Sequence, residues 1–112
     1  MNCKVAIVGA GASGLLCAGF AARRGNHVTL IDKNARPARK VMITGKGRCN
    51  LTNNCTPEQF LAHVRTNPRF LYSAANAFTP ADAMALFESL GVPLKTERGN
   101  RVFPVSDKAV DI

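Results

Sequence analysis

The sequence of 112 residues has no tryptophan, one tyrosine and two histidines, and it carries 7 acidic residues against 15 basic ones. His27 and His63 have no cysteine or nucleophile at a useful spacing, so neither a metal site nor a Ser-His-Asp triad is predicted. The absence of an 18-residue apolar run excludes a membrane-spanning helix, and no signal-peptide pattern fits the N-terminus. We therefore expect a cytoplasmic protein with no metal and no membrane partner.

The four cysteines are too few for a disulfide scaffold, and reduced thiols are expected in the cytosol. Cys3 falls in a predicted strand and Cys17 in a predicted helix, so both are predicted to be core residues. Cys49 is expected to be a small buried residue, and its neighbour Arg48 is a candidate for lowering the pKa of the thiol.

The shortage of acids leaves a formal net charge of +8, which favours an anionic partner. Residues 33–48 contain no acid and six basic residues, namely Lys33, Arg36, Arg39, Lys40, Lys46 and Arg48. Three interpretations are open: a phosphate-bearing cofactor, a nucleic acid, or a solvated basic surface. No aromatic residue lies within this stretch, so base stacking is not expected there.

The first third of the chain has the pattern of a β-α-β unit. Residues 3–8 are short, apolar and rich in β-branched side chains, as in a buried parallel strand. Residues 15–24 are apolar on nearly all sides, which predicts a helix covered on several faces and ended by Gly25. Residues 28–31 form the second predicted strand, parallel to the first.

Between the first strand and the helix lies Gly9-Ala10-Gly11-Ala12-Ser13-Gly14, a G-x-G-x-x-G sequence. In this context Gly9 permits a tight turn, Gly11 lets a pyrophosphate approach the backbone, and Gly14 lets helix and strand pack closely. The helix N-terminus offers free N–H groups and a partial positive charge to the phosphates. Asp32 lies 18 residues after Gly14, close to the spacing of about 20 expected for an acid that binds ribose hydroxyls.

The rest of the chain is predicted to hold an ordered loop, three short helices and a hairpin. Residues 34–54 are read as the loop, and the helices have start signals at Thr56-Pro57, Asn67-Pro68 and Thr79-Pro80. Residues 94–105 are predicted to form a hairpin turning near Gly99-Asn100, and Ser106 to cap a helix over 107–112. Core positions are predicted for Phe70, Phe78 and Phe87 and for the Phe103-Pro104 pair.

A second group of polar residues occupies positions 44–53, with the sequence Thr-Gly-Lys-Gly-Arg-Cys-Asn-Leu-Thr-Asn. Two glycines flank a lysine, and an arginine, a cysteine and several amides follow. Such a loop can offer backbone N–H groups, cations and amide donors to a polar anionic ligand. The alternative interpretation is a turn-rich surface loop.

These motifs resemble those of a known family. The glycine turn with Leu15, Ala18 and Gly25 is similar to the FAD-binding fingerprint of two-dinucleotide-fold flavoproteins. The string at 44–53 resembles the signature of the BaiN/YhiN-like (aminoacetone-oxidase-like) family of NAD(P)/FAD-dependent oxidoreductases, and residues 101–109 resemble it also. The resemblance runs nearly the whole chain and corresponds to the N-terminal portion of a member, so we expect the chain to be part of a longer protein.

The resemblance implies an α/β, Rossmann-like FAD/NAD(P)-binding domain of the two-dinucleotide-binding type, incomplete, with a short helical segment and a β-hairpin after the β-α-β unit. Its parts are predicted at 1–33 (β-α-β), 34–55 (cofactor-contacting loop), 56–91 (helices) and 92–112 (hairpin and start of a helix). The predicted cofactor-binding residues are Gly9, Gly11, Ala12, Ser13, Gly14, Asp32, Lys33, Arg39, Lys40, Thr44, Gly45, Gly47, Arg48, Cys49, Asn50 and Thr52.

Three departures from related flavoproteins bear on this expectation. Asp32 stands where many FAD folds have glutamate, which makes NAD less easy to exclude. Ala38 stands where the family often has glycine. Cys49 and Cys55 are spaced C-x5-C, whereas flavin disulfide oxidoreductases have C-x4-C, so a redox pair is not the favoured interpretation.

The predicted function is FAD binding within a flavin-dependent oxidoreductase that moves hydride or electrons between flavin and a small organic substrate, with NAD(P)H as a candidate donor. The expected partner is a small molecule and not a nucleic acid. The alternatives are an NAD-binding dehydrogenase module and a basic nucleic-acid-binding protein. No residue is nominated as a catalytic acid or base, and the 112-residue chain alone is predicted to be inactive.

Overall fold

The computed structural model describes residues 2–112 and divides into two compact units. The first unit ends at Ile43, and the second unit is Thr44–Ile112. No helix in the described part of the chain is long and apolar enough to cross a membrane.

The first unit is a β-α-β unit followed by a short helix. Its elements are β1 (Lys4–Val8), α1 (Ala12–Arg23), β2 (His27–Ile31) and α2 (Arg39–Ile43). The two strands are parallel and in register from Lys4 opposite His27 to Val8 opposite Ile31. The predicted parallel unit is therefore confirmed. Helix α1 begins three residues before its predicted start, so the last glycine of the turn lies within the helix.

The second unit contains a three-stranded antiparallel sheet and three short helices. Its elements are β3 (Thr52–Asn53), α3 (Pro57–Ala62), α4 (Tyr72–Ala77), α5 (Pro80–Ser89), β4 (Leu94–Glu97) and β5 (Arg101–Pro104). The strand order is β3-β5-β4, and β4 and β5 form the predicted hairpin, with Gly99 and Asn100 in its turn. Val102, Phe103 and Pro104 on the central strand are buried, which confirms the packing role predicted for the Phe103-Pro104 pair.

Helical segments in the second unit begin at all three predicted positions, but only two of them have the expected side-chain cap. Thr56 and Thr79 each accept a hydrogen bond from a backbone N–H three residues on, in complete capping boxes. Asn67 differs, because it adopts a left-handed conformation with φ 49° and makes no side-chain cap. A 3₁₀ turn over Pro68–Leu71 therefore precedes α4.

Two predicted segments have a different local structure. The predicted loop at 34–54 contains α2, whose start is set by a hydrogen bond from the Met42 N–H to the Ala38 carbonyl, as well as β3. The predicted helix at 107–112 is only a 3₁₀ turn over Ala109–Asp111. The Ser106 hydroxyl accepts from the Lys108 N–H in a local turn that competes with a helical cap.

Several predicted core residues are exposed in this chain. Phe70 is 81% exposed and Phe78 is 39% exposed, while Phe87 is half-buried. Cys3 and Cys17 are also exposed, and α1 has no buried residue. The prediction was wrong at these positions because each unit has few elements, and a small unit cannot cover every apolar face it presents.

Candidate cofactor-binding site

The glycine turn of the first unit joins β1 to α1. Gly9 has φ +104°, a conformation that favours glycine, and its N–H donates to the Ile31 carbonyl at the end of β2 over 2.7 Å. The turn is therefore fixed to the second strand by a backbone hydrogen bond.

The other two glycines of the turn have different surroundings. A Cβ built on Gly14 would overlap the carbonyl oxygen of Gly9 and lie 3.8 Å from the Cγ2 atom of Ile7. A Cβ on Gly11 would have no atom within 4 Å. Gly14 thus serves close packing between helix and strand, and Gly11 leaves open space beside the backbone, as the G-x-G-x-x-G interpretation predicts.

The N-terminus of α1 is suited to an anion. Gly11 occupies the N-cap position, no side chain caps the helix, and its first turn has no acidic residue. The N–H groups of a first helical turn have no partner within the helix, and the helix dipole adds a partial positive charge there. A phosphate at this end would accept hydrogen bonds from these N–H groups and would be attracted by the partial positive charge.

Asp32 follows β2 and faces the glycine turn. Its Oδ2 atom accepts the Ala10 N–H over 2.7 Å, and its Oδ1 atom accepts the Asn34 N–H over 2.6 Å. These two bonds, the Ala10 bond foremost, hold the pKa of Asp32 below its ordinary value. The carboxylate therefore stays ionised, and each oxygen retains capacity to accept a further hydrogen bond.

The segment after Asp32 returns to the glycine turn. The Ala38 N–H donates to the Ala10 carbonyl over 2.7 Å, and Ala38 has φ +57°, the region that favours glycine. Arg39 donates to the Asn34 side chain over 2.9 Å, while Lys33 and Lys40 are exposed. Three of the predicted cations thus lie on the segment that adjoins the turn and Asp32.

The predicted loop at 44–53 belongs to the second unit. Gly45, Lys46, Gly47 and Cys49 all have positive φ. A Cβ on Gly45 would lie 2.8 Å from the Asn50 nitrogen and 2.9 Å from the Phe103 ring. Glycine is therefore required at position 45 for both conformation and space, which the sequence pattern alone does not show.

The Arg48 side chain lies against the hairpin. Its Nη1 atom is 3.0 Å from the Glu97 Oε2 atom and 3.2 Å from the Asp107 Oδ1 atom. The guanidinium carbon is 3.9 Å from the centroid of the Phe103 ring. Lys95 completes a four-charge cluster, since its Nζ atom is 2.8 Å from Asp107 and 3.2 Å from Glu97.

Within this cluster, neighbouring groups of opposite charge shift each other's pKa toward the ionised form. Hydrogen bonding to Glu97, more than to Asp107, raises the pKa of Arg48. Arg48 and Lys95 lower the pKa of Glu97. Lys95, Glu97 and Asp107 were not among the predicted site residues, because no local pattern signals a pairing across about fifty positions.

Cys49 is buried, with 4% of its surface exposed, as predicted for a small packed residue. Burial raises the pKa of its thiol, so the suggestion that Arg48 lowers that pKa was wrong; the Arg48 charge is directed to carboxylates instead. All four cysteines are free thiols. Residues 2–112 also contain no group of three or more His, Cys, Asp and Glu placed to hold a metal ion.

The predicted site residues thus fall in two groups. The first unit holds Gly9, Gly11, Ala12, Ser13, Gly14, Asp32, Lys33, Arg39 and Lys40. The second holds Thr44, Gly45, Gly47, Arg48, Cys49, Asn50 and Thr52. Cofactor contact by either group stays a prediction.

Comparison with known proteins gives a family match over almost the whole chain. Residues 3–112 match the family model described as HI0933-like protein Rossmann domain. The chain is 40% identical over 86 residues to a ribosomal RNA dihydrouridine synthase of Escherichia coli, covering 77% of this chain and 21% of the relative. Its similarity to the ribosomal RNA dihydrouridine synthase of Haemophilus influenzae is 36% identity over 98 residues, covering 87% and 24%.

A third relative carries a different name. The chain is 32% identical over 111 residues to a 3-dehydro-bile acid delta(4,6)-reductase of Clostridium scindens, covering 97% of this chain and 26% of the relative. The chain therefore spans about a quarter of the length of these curated relatives.

Proposed function

Since this chain belongs to the HI0933-like Rossmann family, we propose that it forms the FAD-binding part of a flavin-dependent oxidoreductase. The observation that carries the proposal is the glycine turn of the first unit. Gly11 has open space beside its backbone and stands at the uncapped N-terminus of α1. The Asp32 carboxylate is bonded to the neighbouring residue of the turn, Ala10.

These residues fit the adenosine diphosphate half of FAD. The first-turn N–H groups of α1 would donate to the diphosphate, and Gly11 would let it approach without a side chain in the way. The free lone pairs of Asp32 would accept ribose hydroxyls, and Lys33, Arg39 and Lys40 would add positive charge. The loop at 44–53 would contribute backbone and amide donors near the pyrophosphate or the flavin ring.

When bound, the flavin supplies hydride and electron transfer, and the protein supplies binding and orientation. We assign no catalytic acid or base to this chain. The activity is that of the full-length protein, since the chain spans about a quarter of its relatives.

We further propose that the reaction adds hydrogen to a carbon–carbon double bond conjugated with a carbonyl group. The names of two kinds of relative support this class: a dihydrouridine is a uridine with its ring double bond reduced, and a delta(4,6)-reductase of a 3-dehydro-bile acid acts on double bonds conjugated with a ketone. NAD(P)H is the proposed source of electrons. A non-enzymatic nucleic-acid binder is not favoured, because the relatives are enzymes by name. An NAD-binding dehydrogenase module is not favoured, because the glycine turn with Leu15, Ala18 and Gly25 resembles an FAD-binding fingerprint.

The cofactor is tested in the full-length protein with two glycine variants, one at the N-cap of α1 and one within that helix. Gly11→Ala should fold, because its Cβ meets no atom within 4 Å, and should lose FAD, because the methyl group takes the space of the diphosphate. Gly19→Ala is the control, since its Cβ also meets nothing within 4 Å and it lies far along the helix. Flavin absorbance after gel filtration is the measurement. A wild-type protein that takes up no FAD, or that takes up NAD instead, would contradict the proposal.

The substrate class is tested by reoxidation of the reduced flavin without oxygen. One arm supplies RNA that contains uridine, and the other supplies a free cyclic enone. Reoxidation by RNA alone assigns a nucleic acid substrate, and reoxidation by the enone alone assigns the small molecule expected from the sequence. Failure of both arms would refute the proposed class while leaving FAD binding intact.

A further inference from the structure

The four-charge cluster of the second unit is not explained by cofactor binding alone. Arg48, Lys95, Glu97 and Asp107 have side chains that are 30–41% exposed, and each of the two cations contacts both carboxylates. Arg48 lies within the 44–53 loop, whereas the other three members of the cluster lie on or just after the hairpin. The cluster thus joins two segments that are about fifty residues apart in the chain.

The same two segments are joined by backbone hydrogen bonds. The Leu51 N–H donates to the Val102 carbonyl over 2.9 Å, and the Asn54 N–H donates to the Asn100 carbonyl over 2.7 Å. These bonds hold the C-terminal end of the loop and the residue that follows it. In its N-terminal half, Gly45 packs beside the Phe103 ring, and the guanidinium of Arg48 lies over that ring.

One nitrogen of the Arg48 guanidinium is paired with acidic side chains. Two carboxylates accept from its Nη1 atom, and an aromatic face lies beneath it, which is the arrangement in which arginine is least replaceable. A phosphate placed at Arg48 would lie close to two carboxylates, whose negative charge would repel it. Lys46 differs, because it is exposed and forms no ion pair with any carboxylate of residues 2–112.

We infer that Arg48 is a positioning residue: clamped between Phe103 and the carboxylates of Glu97 and Asp107, it fixes the 44–53 loop, and Lys46 is the loop cation that meets an anionic ligand. The inference rests on the proposed function only in naming FAD as that ligand. The fixing of the loop itself is independent of FAD.

The loop is tested first without the cofactor, in the full-length protein. Cys49 is 4% exposed, and its N–H donates to the Thr44 carbonyl over 3.0 Å, so its alkylation reports whether the loop has opened. Arg48→Gln should speed alkylation of Cys49 by iodoacetamide at least about tenfold, mapped by peptide mass spectrometry, with the rate at Cys55 unchanged. Arg98→Gln is the control, since Arg98 is an exposed arginine on the same hairpin outside the cluster. Equal Cys49 rates in wild-type and Arg48→Gln proteins would overturn the inference.

FAD affinity then separates positioning from direct binding. If Arg48 acts through the cluster, Arg48→Gln and Glu97→Gln should each weaken FAD binding about fivefold, and the double variant should be no weaker than either. Lys46→Gln should weaken binding by a factor that multiplies with that of Glu97→Gln. If Arg48 were instead a direct ligand, Glu97→Gln would release it and leave the affinity unchanged or higher, and this result would overturn the inference.

The two failures are distinguishable. If the wild-type protein binds no FAD, the proposed function is refuted. The alkylation rates of Cys49 would still decide whether Arg48 fixes the loop. FAD binding with unchanged Cys49 rates would keep the proposed function and remove the positioning role.

Discussion

The two units of this chain are stabilised by different kinds of interaction. In the first unit the glycine turn is held by backbone groups and one carboxylate, and Ala10 is its buried apolar residue among those described. In the second, side chains bond to side chains or to helix ends, and a buried strand lies at the centre of the sheet. The two units also differ in charge. Residues 1–43 carry seven basic residues and one acidic residue, whereas residues 44–112 carry eight basic and six acidic residues.

Under the proposed function, this difference corresponds to a bias in roles, with more of the binding groups in the first unit and more of the structural ones in the second, where Lys46 is the exception. A binding end needs unsatisfied groups, and the first unit presents an uncapped helix and seven basic residues against one acid, Asp32. A scaffold needs satisfied groups, and in the second unit the cations Arg48 and Lys95 are paired with Glu97 and Asp107. This distinction can be tested by substituting one residue of each unit at a time.

The largest effect is expected from Phe103→Ala in the second unit. Phe103 is 1% exposed, is in contact range of Gly45 and lies under Arg48, so its removal leaves a cavity and releases the guanidinium. We expect a loss of about 3–5 kcal/mol in the free energy of unfolding, measured by urea denaturation of the full-length protein. Phe70→Ala is the control, because Phe70 is 81% exposed. Equal losses for the two variants would contradict the assignment of the core to β5.

Gly14→Ala tests the first unit, where backbone contacts are expected to dominate. The added Cβ would overlap the Gly9 carbonyl oxygen, so helix and strand must separate, at a cost of about 2–3 kcal/mol. Gly19→Ala on the same helix should be neutral or stabilising by up to about 1 kcal/mol, because its Cβ meets nothing within 4 Å. Hydrogen exchange should place the damage in β1 and the start of α1. A Gly14→Ala protein as stable as wild type would refute the close-packing role.

Local sequence signals were sufficient for much of this fold. The parallel strands, the helix starts at Thr56 and Thr79, and the hairpin turn at Gly99 and Asn100 were all predictable, because each depends on neighbouring residues. The close packing of helix and strand at Gly14 was also predictable from the motif and its context. These features follow from backbone geometry, which a short stretch of sequence determines.

Long-range features were not predictable in the same way. The ion pairs of Arg48 depend on a hairpin that begins 46 residues later, and no periodicity indicates them. Burial also failed as a prediction, since the amphipathic pattern that placed Phe70 in the core cannot tell which other surface covers it. At Asn67 the start signal correctly placed the beginning of a helical segment, but it did not predict the left-handed conformation of Asn67 or the 3₁₀ first turn.

A smaller effect is expected from the pH dependence of Asp32. Its pKa is lowered in the folded protein, so its contribution to stability is present above the ordinary carboxyl pKa and is lost as the pH falls through the lowered value. Asp32→Asn keeps one acceptor for the Ala10 and Asn34 N–H groups and should flatten this part of the stability profile. The measurement is the difference between wild-type and variant unfolding midpoints from neutral to acidic pH. A difference that does not change with pH would show that the carboxylate charge does not hold the turn.

The smallest effect is expected from a substitution at Ala38, and it is a gain in stability rather than a loss. Its φ of +57° costs an L-residue about 1–2 kcal/mol, while glycine adds about 0.5–1 kcal/mol of chain entropy to lose on folding. Ala38→Gly should therefore stabilise the full-length protein by about 0.5 kcal/mol, and it would also introduce the residue that the family often has there. Ala22→Gly is the matched control, because Ala22 lies in α1 and the same change should cost about 1 kcal/mol. If both changes destabilise equally, the Ala38 backbone is not strained, and the return of this segment to the Ala10 carbonyl must rest on its hydrogen bond alone.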